Sequence, residues 1–304
     1  MSDPGLAAVA EPVASERARS LGRDAWDDLR KNPVVIVSAL LIVVFVLMAA
    51  FPGLFSRTDP NLCDLANTRK PPSSEAWFGY DLQGCDIYSR VIHGARASIV
   101  VGILSTLAVT VLGGLVGMLA GFYGGAFDSV VSRIADVFFS IPFLLGAIIV
   151  LTTFPSGGAG SFWGPVLKVV AALALFGWPS LARIMRSTTL QVKEADYVAS
   201  ARALGASVPR ILRVHVLPNA VQPVIVYATI ALGGFIGAEA TLSYLGVGLV
   251  PPTVSWGIDI NNAQNIVRSS PHVLLFPALF LSLAVLAFIV LGDAVRDALD
   301  PKQR

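Results

Sequence analysis

Residues 194–219 read EADYVASARALGASVPRILRVHVLPN, a polar interval between long apolar runs. With Lys193 just before it and Arg202, Arg210 and Arg213 inside it, no part is apolar for long enough to cross a bilayer. The pattern reads as two short helices. The first runs from about Ala195 to Leu204 and places Tyr197, Ala201 and Leu204 on one face. Gly205 stops it, because glycine tolerates the left-handed conformation that ends helices. Ser207 reads as the next N-cap and Pro209 sits in the following first turn, where a missing N–H costs little. Val208, Ile211, Leu212 and His215 share a face, and Pro218 is expected to end the second helix. Such a hairpin between two membrane spans is either a docking element or a solvated loop on the membrane surface.

The rest of the chain supplies the spans. Of 304 residues, 55% are hydrophobic and only 14% charged, with a mean hydropathy of +0.71. A soluble domain carries about 25% charged residues, so the fold class is an all-α polytopic membrane protein. Six spans are expected, at about 34–51, 99–123, 137–154, 165–185, 221–245 and 273–291. Pro33 suits the first turn of the first span, and Pro142 is a kink in the third. Gly124–Ser132 reads as a turn, with Arg133 and Asp136 pairing three residues apart just after it. Gly113 and Gly117 form a G-x-x-x-G in the second span, a pattern that lets helix backbones approach closely. With the N-terminus inside, 15 of the 22 lysines and arginines fall on the side of both termini and the hairpin, which therefore read as cytoplasmic. The net charge of +2 is too small to suggest nucleic acid.

These boundaries divide the chain into a polar segment 1–32, a first span with a long outer loop (33–97), a five-helix core (98–295) containing the 187–219 loop, and a tail 296–304. Ala25 to Arg30 is expected to lie on the membrane face, and Ser156 to Gly164 is a Gly-rich turn with Trp163 as an interfacial anchor. The outer loop holds the only two cysteines, Cys63 and Cys85. On an oxidising side they read as one disulfide, the other reading being two separate thiols. Glu239 is a lone acid in the fifth span. It reads either as a candidate pathway residue near the outer side or as a hydrogen-bonding partner for a neighbouring helix or the following loop. Trp256 reads as an interfacial or re-entrant anchor.

Several segments resemble permeases of ATP-binding-cassette importers, and specifically the peptide-importer branch. In residues 199–219, Gly205 and Leu217-Pro218 match the loop signature that these permeases present to their ATPases. Ala199-Ser200-Ala201 stand where the wider class has Glu-Ala-Ala, and His215 stands where it has Ile; both departures are typical of the peptide branch. WFGYDLQGCDIYSRVIHGARAS (77–98) is similar to the branch pattern FGTDxxGRDxxSRxxxGARxS, with Tyr80 for Thr and Cys85 for Arg. An arginine traded for a cysteine, with another cysteine upstream, supports their pairing. FDSVVSRIADVFFSIPFLL (127–145), GWPSLARIMRSTTL (177–190), EATLSYLGVGLVPPTVSWGIDIN (239–261) and GDAVRDALDPK (292–302) resemble further stretches of the same branch.

The resemblance implies the type I importer permease fold in a bacterial inner membrane. It implies a permease subunit for di- or oligopeptides that pairs with a homologous permease, two cytoplasmic ATPase subunits or domains, and an external substrate-binding protein. ATP and Mg would be held by those ATPases, with no cofactor on this chain. Tyr197, Ala199, Ser200, Ala201, Arg202, Leu204, Gly205, Arg210, Arg213, His215 and Pro218 would then form the ATPase-coupling surface. Other cargoes of the same class are a nickel complex, haem or an oligosaccharide. A stand-alone channel or secondary transporter is the reading from another class. The chain lacks G-x-x-x-x-G-K-[ST], H-E-x-x-H and G-x-S-x-G, and its histidines (His93, His215, His272) are scattered, so neither an enzyme nor a metal site is expected.

Overall fold

The computed structural model describes residues 29–154 and 161–299. The expectations for residues 1–28, for 156–160 of the Gly-rich turn and for the last five residues of the tail lie outside them. The described residues form helices and connecting loops, with no β-strand among them.

The first span, α1 (Pro33–Ala50), starts as its sequence dictates. Asn32 caps it, its Oδ1 accepting from the Val34 N–H at 3.0 Å, and Pro33 occupies the first turn. Helix α2 (Ile87–Tyr123) begins eleven residues earlier than the expected core boundary at 98, because Asp86 caps it there through the Tyr88 N–H (3.1 Å). Helix α5 (Trp163–Lys193) lies against α2. At Gly113, Gly117 and Gly121 an added Cβ would come within 2.7, 2.3 and 2.8 Å of the carbonyl oxygens of Trp178, Ala182 and Arg186. The G-x-x-x-G therefore packs within this chain, at backbone contact. The three contacts advance in the same direction along both helices, so α2 and α5 are parallel.

Two parallel spans need a return crossing between them. The segments α3 (Gly125–Ser140) and α4 (Phe143–Thr153) provide it, bent by 88°. This corrects two expectations. Gly124–Ser132 is mostly helix, and Pro142 marks a break rather than a kink: Ile141 and Pro142 are both extended, with ψ of 121° and 124°. A residue before proline is driven out of the helical region, so α3 ends there. Five helices are long and apolar enough to cross singly, and the bent pair makes the sixth crossing.

After the short α6 (Asp196–Ala203), the chain enters α7 (Val208–Tyr244), 37 residues without interruption. Pro218 does not end a helix here, contrary to the sequence reading. Ile211–Val216 winds as a π turn, whose wider ring accommodates the proline that follows. The Asn219 side chain donates to the His215 carbonyl oxygen at 2.7 Å. Helix α8 (Trp256–Ala263) lies inside what reads as an outer loop, and α9 (Pro271–Leu299) is the last span. Gly233 meets the Val285 carbonyl and Gly292 meets Ile230, so α7 and α9 are antiparallel. Phe45 of α1 packs edge-on to Trp256 and Phe280, which seats α1 against α8 and α9.

Candidate functional site

The hairpin of residues 194–219 lies at the end of the molecule where α2 and α5 finish. Lys193 Nζ donates to the Gly121 carbonyl oxygen (2.9 Å) and joins those two ends. Helix α6 carries one inward side chain, Val198, fully buried with Ile211, Leu212 and Val216 of α7. The sequence reading put Tyr197, Ala201 and Leu204 on the face; the residue that anchors is Val198, between them. Gly205 ends α6 at φ +79°, with its N–H on the Arg202 carbonyl and the Ala206 N–H on the Ala201 carbonyl, both at 3.0 Å. Ser207 holds the cap position, but its hydroxyl makes no capping bond.

What remains outside is a surface. Leu204 is 88% exposed and Tyr197 45%, the latter beside the His215 ring at 6.4 Å between centroids. Ala199, Ser200, Gly205 and Pro218 are exposed, and Ala201 and His215 half-buried. Arg202, Arg210 and Arg213 are exposed and form no ion pair among the described residues. The arrangement is a rigid knob with apolar tips and a basic rim.

Two ion pairs beside it were not foreseen as such. Arg186 holds both carboxylate oxygens of Asp128 (2.5 and 2.6 Å), and Arg183 holds Asp136 at 2.6 Å while stacking 4.0 Å from the Phe139 ring centre. The expected Arg133–Asp136 contact exists only at 3.9 Å, with Arg133 87% exposed.

At the opposite end, Cys63 and Cys85 are joined in a disulfide. Asp81 accepts from the Gln83 and Cys85 N–H groups (2.8 and 2.9 Å) and faces Arg90 at 3.5 Å. Arg90, buried, donates through Nε and Nη2 to Asp259 Oδ1 on α8. Burial pushes the Asp259 carboxyl up from the usual carboxylate range, and Arg90 pulls it back. Trp256 is fully buried and donates from Nε1 to the Val91 carbonyl oxygen (2.9 Å); it is a core residue, not an interfacial anchor. The Arg90–Asp259 pair escaped the sequence reading. The available signal was a charged residue within each of two quoted motifs, flanked by residues that read as buried.

Glu239 has no exposed surface in this chain. Its Oε1 accepts from the Ser243 hydroxyl (2.7 Å), and Ser243 Oγ accepts from the Leu249 N–H in the following loop (3.0 Å). Its other oxygen has no hydrogen-bond partner among the described residues.

Residues 113–304 match the family described as the binding-protein-dependent transport system inner membrane component. The chain belongs to that family. Residues 20–72 match a second description, the N-terminal TM domain of oligopeptide transport permease C. This permease is 38% identical to the oligopeptide transport system permease protein OppC of Bacillus subtilis, over 95% of its own length and 92% of that protein's. It is also 38% identical to the glutathione transport system permease protein GsiD of Pectobacterium atrosepticum, over 96% and 95% of the two chains. Among solved structures it resembles a chain of the inward-facing MetNI methionine ABC transporter, with a TM-score of 0.54 at 22% identity, over 69% of this permease and 96% of that chain. That likeness is one of fold. The permease is a multi-pass inner-membrane component, and the type I importer permease fold read from its motifs is the one it has.

Proposed function

We propose that this permease forms half of the pathway of an ATP-driven importer of short peptides and receives the work of its ATPases through the 194–219 hairpin. The observation that carries the reading is the hairpin's construction. Val198, Ile211 and Val216 tie it into the body of the chain, while Leu204, Tyr197 and the three arginines face outward. An apolar tip with a basic rim suits a groove on a cytoplasmic partner. On this reading the hairpin end is cytoplasmic, the disulfide end faces the binding protein, a homologous permease supplies the other half, and the ATPases hold ATP and Mg. The chain itself hydrolyses nothing.

Peptide cargo is supported by the OppC relative, and glutathione, itself a tripeptide, by a relative of the same identity. The test is ATP hydrolysis by the reconstituted complex with its binding protein, given a panel of di- to pentapeptides, glutathione, and a nickel complex. Stimulation by peptides supports the cargo assignment; stimulation by glutathione alone narrows it. Stimulation only by the nickel complex overturns it while leaving the importer. If no ATPase subunit co-purifies, the importer reading falls to a channel or secondary transporter.

A further inference from the structure

The outer loop and α8 meet at the guanidinium of Arg90, in the first turns of α2. It donates through Nε and Nη2 to Asp259 Oδ1 of α8, lies 3.5 Å from Asp81 of the outer loop, and donates through Nη1 to the Pro60 carbonyl oxygen at 3.3 Å. Arg90 and Asp259 are both buried, and Asp259 Oδ2 has no hydrogen-bond partner among the described residues. The Asp81 carboxylate is oriented by the N–H of Cys85, the residue that carries the disulfide to Cys63.

We propose that Arg90 is a positioning residue that links the Cys63–Cys85 loop to α8, so that the loop and α8 move as one body at the outer end of the permease. Buried ionic groups are held by their partners and do not tolerate losing one. With the disulfide closed, Asp81 and Pro60 are held against Arg90, and Arg90 is held against Asp259. With it open, the loop regains conformational freedom. The loop side of the Arg90 cluster then loosens, and α8 is left with the Asp259, Trp256 and Asn261 bonds to α2 and α7.

The test is hydrogen exchange on the full chain in its membrane complex, before and after treatment with a dithiol. The dithiol gives two electrons and two protons to the Cys63–Cys85 bond, leaving two thiols and its own cyclic disulfide. Exchange in residues 256–263 should accelerate several-fold on reduction of the wild type. In Asp259→Asn those amides should already exchange faster, and reduction should add less than about twofold, because coupled residues are not additive. Arg90→Lys, which keeps the charge, should fall between. Acceleration confined to residues 52–86, or a full wild-type effect of reduction in Asp259→Asn, overturns the proposal. The wild-type comparison decides the matter even where the variants fail to assemble. The readout is α8 itself, so it stands or falls separately from the peptide-import reading.

Discussion

Asp136 pairs more closely with Arg183 across the α3–α5 contact, at 2.6 Å, than with Arg133 one turn earlier on its own helix, at 3.9 Å. The i,i+3 neighbour is exposed and its pair is long, whereas Arg183 brings a 2.6 Å bond and a stacked Phe139 ring. Arg133→Ala should therefore leave thermal stability in detergent unchanged. Arg183→Ala should lower it, by about 1 kcal/mol for a half-exposed pair with a cation–π contact. Equal losses would mean that α3 is not held by α5.

The glycine stripe on α2 separates steric effects by position. Gly117→Leu puts a Cβ within 2.3 Å of the Ala182 carbonyl oxygen, with no flexible side chain to give way. It should cost roughly 1–3 kcal/mol or more by overpacking and reduce the yield of folded chain. Gly114→Ala meets only Leu181 Cδ2 at 3.8 Å and should be tolerated. Fluorescence-detected size exclusion of the two variants distinguishes them.

Gly205 isolates a backbone effect. Nothing lies within 4 Å of an added Cβ there, but φ is +79°. Gly205→Val should strain the turn by about 1–2 kcal/mol and disturb the hairpin without touching the core. Gly205→Asn, which visits left-handed backbone more readily, should retain function. Peptide-stimulated ATPase activity in the assembled complex is the readout.

Leu204→Arg removes an apolar tip that is 88% exposed. It should leave the stability of the isolated chain unchanged and weaken capture of the ATPase subunits. A variant that still captures them at wild-type affinity would remove Leu204 from the docking surface.

Glu239→Gln preserves an acceptor for the Ser243 hydroxyl and should fold and transport normally. Glu239→Leu leaves a buried hydroxyl without that partner and should cost about 1–3 kcal/mol. Slow transport by a stably folded Glu239→Gln chain would instead assign the carboxyl a role in the pathway.

The spans and the hairpin turn were legible because they are local. Pro33, the turn at Gly205 and the apolar runs each report on their own neighbourhood. Three features were not. The break at Ile141–Pro142 looks in one dimension like a kinked span, and only the parallel packing of α2 and α5 shows what the segment must do. Continuation through Pro218 depends on a π turn that propensities do not register. The Arg90–Asp259 pair joins residues 169 apart, and no periodicity reaches that far. The hairpin surface was readable as a location, but its anchor, Val198, emerges only from the packing of α6 on α7.

Because Val208–Tyr244 is one helix, about 55 Å long at 1.5 Å per residue, the two ends of the permease share a single rod. Its first turns hold the knob, and its last turns touch α8, where Gly257 meets Ala240 and Asn261 bonds the Tyr244 carbonyl. Under the proposed coupling, a displacement of the knob has one continuous helix along which to reach α8, with no further element needed between them.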